Sequence, residues 1–96
     1  MLQTIINAIH TKQLLSFTYD GLPRLVEPHA VGLSTAGNQV MRCFQVGGNH
    51  KKAGHDWDLV KLEKIVGLAV TGEHFAGPRP GYSRGDRAMS TINAEL

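Results

Sequence analysis

Asp20-Gly21 lies between two stretches of strand character, and no other feature of the chain restricts its fold as much. Ahead of the pair, Leu15, Phe17 and Tyr19 alternate with Ser16 and Thr18, the two-residue period of a strand with one covered face. An Asp-Gly pair tolerates the positive φ values of a tight hairpin, so PRLVEPHAVGLS is predicted to return antiparallel to the first strand. Pro28 cannot donate to a strand ladder and therefore marks an edge or a bulge in the returning strand. A chain that begins in this way is building an antiparallel sheet.

What surrounds the hairpin fits that sheet. Leu2, Ile5, Ile6 and Ile9 recur at helical spacing and predict a short amphipathic helix ending near Gln13, with its apolar stripe on the sheet. TAGN at 35–38 is a turn signal, QVMRCFQV reads as a third strand, and the polar, glycine-rich GGNHKKAGHD as a loop. In WDLVKLEKIVGLAVTG the β-branched residues Ile65, Val66, Val70 and Thr71 and the glycine at 67 favour two short strands, broken around Glu63-Lys64, over a helix. AGPRPGYSRG is too rich in proline and glycine to be regular, and Asp86 is placed to cap a short terminal helix over RAMSTINAEL. The expected architecture is mainly β within the α+β class. An N-terminal helix precedes about five short strands that form a small barrel over residues 1–76, and an irregular C-terminal arm occupies 77–96.

Composition sets the outer limits. A chain of 96 residues has room for one domain, and 42% hydrophobic against 19% charged residues is the balance of a chain that folds. The net charge of +2 forces no nucleic-acid partner, so any basic site must be local. A single cysteine, Cys43, excludes an internal disulfide and a multi-cysteine zinc site and suits a reducing compartment, which makes the cytoplasm the expected location. The opening residues lack a basic leader followed by a long apolar core, and no run reaches the roughly 18 apolar residues of a membrane span, so a soluble protein without membrane contact is expected.

Ile5-Ile6-Asn7-Ala8-Ile9, Leu15-Ser16-Phe17-Thr18-Tyr19, Arg24-Leu25-Val26-Glu27-Pro28 and Val60-Lys61-Leu62-Glu63-Lys64-Ile65 follow one another along the chain. These four strings, between about residues 5 and 75, resemble the WYL domain, a bacterial regulatory module with an Sm-like or SH3-like barrel. The tripeptide that names the family falls at Gln39-Val40-Met41, where neither Trp nor Tyr stands, and lysines replace both arginines of the last string. The resemblance implies a five-stranded SH3/Sm-like barrel, a role in transcription regulation, and sensing of a ligand such as a nucleotide or single-stranded nucleic acid. Residues 1–13 are too few for a helix-turn-helix reader, so a stand-alone binding module is expected rather than direct sequence-specific DNA reading.

Arg42 shares a strand face with Val40, Phe44 and Val46, and a guanidinium among apolar neighbours requires an acidic partner such as Glu27, a bulge, or a bound anion. Arg24, Lys61 and Lys64 join it as candidate phosphate ligands if the hairpin and the later strands bring them to one end of the barrel. Trp57 reads either as core or as a stacking platform for a base, with Tyr19 as a second aromatic candidate. Lys51 and Lys52 at a loop tip, and Arg79, Tyr82, Arg84 and Arg87 in the arm, suit contacts to single-stranded nucleic acid. The arm reads equally as a strap on its own domain or on a dimer or protein partner, and the barrel edge near Pro28 as a docking surface. His50, His55, Asp56, Asp58 and His74 have no recognised ligand spacing, so no metal or other cofactor is expected. Cys43 lies mid-strand without ordered His and Asx partners, and with no phosphate loop or nucleophile elbow in the chain the expectation is a protein that is not an enzyme.

Overall fold

The computed structural model describes residues 1–48 and 56–96. Helix α1 (Leu2–Thr11) buries Ile5, Ala8 and Ile9, the stripe its spacing predicts, and ends when Lys12 turns left-handed with φ 52° and sends its N–H back to the Ala8 and Ile9 carbonyls. Strand β1 (Gln13–Tyr19) follows directly and puts Leu15 and Phe17 into the core. Asp20 and Gly21 both take positive φ, 53° and 74°, which is the hairpin geometry expected of the pair, and β2 (Leu22–Ser34) returns in register with Leu15 opposite Val26.

Strand β2 is the spine of the molecule. Along one edge it pairs with β3 (Gln39–Gly48) from Arg24 to Leu33. Along the other it changes partner, pairing with β1 over Leu22–Val26 and with β6 (Met89–Glu95) over Ala30–Ser34. Pro28, which has no N–H to offer, lies in the gap between those two partners, and the register against β3 slips between Pro28 and Ala30. The chain continues through β4 (Trp57–Lys61), a 3-10 turn at Leu62–Lys64 where the sequence predicts the break, and β5 (Val66–His74).

Two expectations are corrected. The described residues form six strands, in the order β4-β3-β2-β1-β5 with β6 attached to β2, and residues 89–95 are not a terminal helix. Helix-forming residues such as Ala94, Glu95 and Leu96 are overruled by the hydrogen-bonding edge that β2 presents beyond Pro28, onto which β6 docks and buries Met89 and Ala94. The irregular arm thus ends at residue 88. The sheet is strongly curled, since β4 and β5, at opposite ends of the strand order, both contribute to one core with Ile5, Ile9, Leu15, Met41 and Val60, but its edge strands do not pair and it is not closed. On the outer face a smaller cluster joins Ala30, Val40 and Met89. Among the described residues no helix is long and apolar enough to cross a membrane.

Candidate functional site

Alternation from Val26 carries the middle of β2 to the outer face ahead of the register slip between Pro28 and Ala30, which returns Val31 to the core. Glu27 and His29 point to the outer face, away from Val26 and Val31, and both are buried there, His29 completely. Burial of such groups is tolerable only with partners, and the arm supplies them. Arg79 grips the Glu27 carboxylate with Nε and Nη2 at 2.8 and 2.9 Å, and its backbone N–H donates to His29 Nε2 at 3.1 Å. Trp57 Nε1–H donates to the Pro80 carbonyl at 3.3 Å, and the Tyr82 hydroxyl to the His29 carbonyl at 3.4 Å.

Around these bonds the aromatic rings close ranks. His29 lies 4.8 Å from Trp57, 5.1 Å from Tyr82 and 5.8 Å from Phe75, the Arg79 guanidinium sits 4.7 Å over the Phe44 ring, and Trp57 and Tyr82 are nearly parallel at 21° with centroids 6.2 Å apart. On either side of Tyr82 the arm turns through Gly81 and Gly85, both at positive φ, and leaves a cleft of about 530 Å3 against the sheet. Its walls carry Arg42, Trp57, Tyr82, Arg84, Asp86 and Arg87.

Three arginines therefore face one carboxylate across the cleft, and that carboxylate is engaged. Asp86 receives Arg42 Nε at 2.7 Å and Nη2 at 3.3 Å and also takes the Ala88 N–H at 2.9 Å. The hydrogen-bonded Arg42 guanidinium holds the Asp86 carboxyl below its ordinary value, with partial burial opposing. So Asp86 caps no helix; it neutralises Arg42 and starts the turn into β6. Arg84 pairs with Glu95 at 3.1 Å but is 73% exposed, a contact worth little, and Arg87 is exposed with no side-chain partner among the described residues.

Of the residues singled out in the sequence, the structure gathers Arg42, Trp57, Tyr82, Arg84 and Arg87 in this cleft and sets Arg79 beside it as the anchor of the arm. Arg24 lies elsewhere. It shares the inner face with Val26, is buried, donates to Asp58 at 3.1 Å and stacks 5.4 Å over Tyr19, whose hydroxyl accepts the Lys61 N–H. Arg24 and Arg42 thus sit on opposite faces of the sheet, and Glu27 neutralises Arg79 rather than Arg42. Lys61 is opposite Val40 and Lys64 is exposed in the 3-10 turn, so the four basic residues do not converge. Lys51, Lys52, His50 and His55 fall outside the described residues. Among those described, no group of three or more His, Cys, Asp or Glu side chains is placed to hold a metal ion. Cys43 is fully buried, and burial pushes its thiol well above the ordinary range, far from nucleophilic use.

Sequence reasoning did not assign His29 a role, although a histidine directly after the proline expected to bulge, inside an otherwise apolar run, was the available signal. Comparison of the chain with family models, with curated proteins and with solved structures finds no match in any of the three.

Proposed function

We propose that this protein is a small regulatory binding module that takes a phosphate-bearing ligand, a nucleotide or a segment of single-stranded nucleic acid, into the cleft between its arm and the outer face of the sheet. The observation that carries this reading is the meeting of Arg42, Arg84 and Arg87 with the near-parallel rings of Trp57 and Tyr82 in one cleft. Guanidinium forks match phosphate oxygens, and an aromatic face accepts any base, each stacked base being worth about 1–3 kcal/mol. Arg42 is already bound to Asp86, so the exposed Arg84 and Arg87 make first contact with phosphate while Trp57 or Tyr82 receives the base. The order helix, β1 to β4, 3-10 turn, β5 supports the resemblance to a WYL-type domain and, with the strong curl of the sheet, an Sm- or SH3-like barrel. A cytoplasmic, regulatory role belongs to the same reading.

The chain's single tryptophan reports on the cleft, so quenching of its fluorescence should follow addition of a nucleoside monophosphate or of 5′-phosphorylated oligothymidylate. Arg87→Ala, at an exposed position with no side-chain partner among the described residues, is expected to weaken binding roughly tenfold and to flatten its salt dependence by about one ion, with no change in stability. Equal binding by both proteins would remove Arg87 from the site, and binding by neither would end this reading.

A second reading, docking of a protein partner or a second copy, is favoured by β5, where Val66 and Val70 are 65% and 43% exposed on a strand that, among the described residues, pairs with β1 alone. Light scattering that shows a dimer, split by Val70→Lys, together with no nucleotide binding, would move the function there.

A further inference from the structure

His29 stands at the point where the arm is fastened to the sheet, and its hydrogen bonds define its proton. A backbone N–H can only donate, so the nitrogen facing Arg79 N, Nε2 at 3.1 Å, must carry the lone pair. The ring proton is then on Nδ1 and is donated to the Glu27 carbonyl at 2.8 Å. In this neutral tautomer both nitrogens are satisfied. A second proton could go only to Nε2, where it would meet the Arg79 N–H head-on.

Among the described residues, no charge that faces the ring is free to welcome it. The groups facing the ring are Glu27 from β2, Trp57 from β4, Phe75 just after β5, and Arg79 and Tyr82 from the arm, while Leu96 beyond β6 donates its N–H to the His29 carbonyl at 2.9 Å. Glu27 and Arg79 are the charged members, and they are bound to each other in a two-pronged pair. Burial is accordingly the dominant influence on the imidazole and pulls it below its ordinary value of 6.5, with Arg79 adding to it and Glu27 opposing.

We propose that His29 is a proton-operated latch: neutral, its Nε2 holds residues 79–87 over the outer face, and protonated, it lets them go. Because the latched state disfavours the proton while a solvated histidine does not, the closed form is fully favoured above about pH 6.5 and loses its advantage as the pH falls below that value. Release carries Tyr82, Arg84 and Arg87 away from Arg42 and Trp57 and so dismantles the cleft. That last step rests on the ligand reading above; the latch itself does not.

The two are tested separately. On ligand-free protein, NMR from pH 8 to 5 should show the amides of Arg79, Tyr82 and Gly85 shifting together with the His29 ring, while those of Leu15, Val26 and Met41 hold their folded positions. In His29→Gln, whose amide oxygen can still accept the Arg79 N–H, the arm amides should stay flat over the same range. Arm amides that stay flat while the wild-type ring titrates, or that move only when the core unfolds, overturn the latch, as does a His29→Gln arm that titrates like the wild type. Should His29→Gln fail to fold, the wild-type titration decides alone. With 5′-phosphorylated oligothymidylate as probe, affinity should drop about fivefold or more from pH 7.5 to 5.5. Simple charge predicts the reverse, since the protein's net positive charge rises in acid and strengthens attraction for phosphate. Rising affinity with a released arm would uphold the latch and move the ligand out of the cleft.

Discussion

Arg24→Ala should lower folding stability by about 2–3 kcal/mol while leaving the residues that line the cleft untouched. The guanidinium is only 4% exposed, reaches Asp58 at 3.1 Å and covers the Tyr19 ring, while its Nε makes no hydrogen bond. Removing it leaves the Asp58 carboxylate, 21% exposed, without its arginine beside the buried Cys43, and leaves a void against Tyr19. The residual exposure of Asp58 keeps the loss below the limit for a fully buried pair, because water recovers part of the lost solvation. Urea denaturation of Arg24→Ala, and of Arg24→Met with and without Asp58→Asn, separates packing from charge. Asp58→Asn should recover part of the loss in the Arg24→Met background, and a single Arg24→Ala loss under 1 kcal/mol would show the pair to be dispensable. Fluorescence titration of the variant at a denaturant-free temperature well below its midpoint should give wild-type ligand affinity, because Arg24 and Arg42 lie on opposite sheet faces.

That separation explains what the sequence could and could not disclose. Periodicity is a local property, so the α1 stripe, the alternation in β1 and the Asp20-Gly21 turn were all readable, as was the 3-10 interruption near Glu63-Lys64. Pro28 was readable as a bulge, but not as the place where β2 exchanges β1 for β6, because that exchange depends on a strand more than 50 residues away. The last strand was hidden for the same reason: residues 89–95 have no decisive period of their own and become a strand by docking on an edge the sequence does not reveal. In the site, the residue types were legible and the partners were not. Arg42 and its acid are 44 positions apart, and Glu27, on the same face of the β2–β3 ladder as Arg42, goes instead to an arginine 52 positions away that the arm lays over it. Charges could be counted in advance, but their pairing was decided by the path of an irregular segment.

The attachment of β6 is also where a single methyl group should do much damage. Gly32 is buried in β2 with an ordinary strand φ, so it is required for space and not for backbone freedom. A Cβ at this position would fall on the Thr91 carbonyl oxygen and come within 3.0 Å of the Ile92 Cα, both backbone atoms of β6 that no rotamer change can move. Gly32→Ala must therefore push β6 outward where its register against β2 is already irregular, breaking pairs from Gly32 to Ser34 and uncovering Met89 and Ala94. The expected loss is about 3 kcal/mol, the upper end for forcing a methyl into a filled site. Hydrogen exchange locates it: the Thr91 and Ala94 amides should lose protection far more than those of Leu15 or Phe17, which pair with β2 at Val26 and Arg24, outside the Ala30–Ser34 stretch that carries β6. Because Arg87 and Asp86 lead directly into β6, loosening that strand also loosens one wall of the cleft, and affinity for the proposed phosphate-bearing ligand should fall with it. A Gly32→Ala protein that keeps both its stability and its β6 protection would mean that β6 is not fastened to β2 at this point.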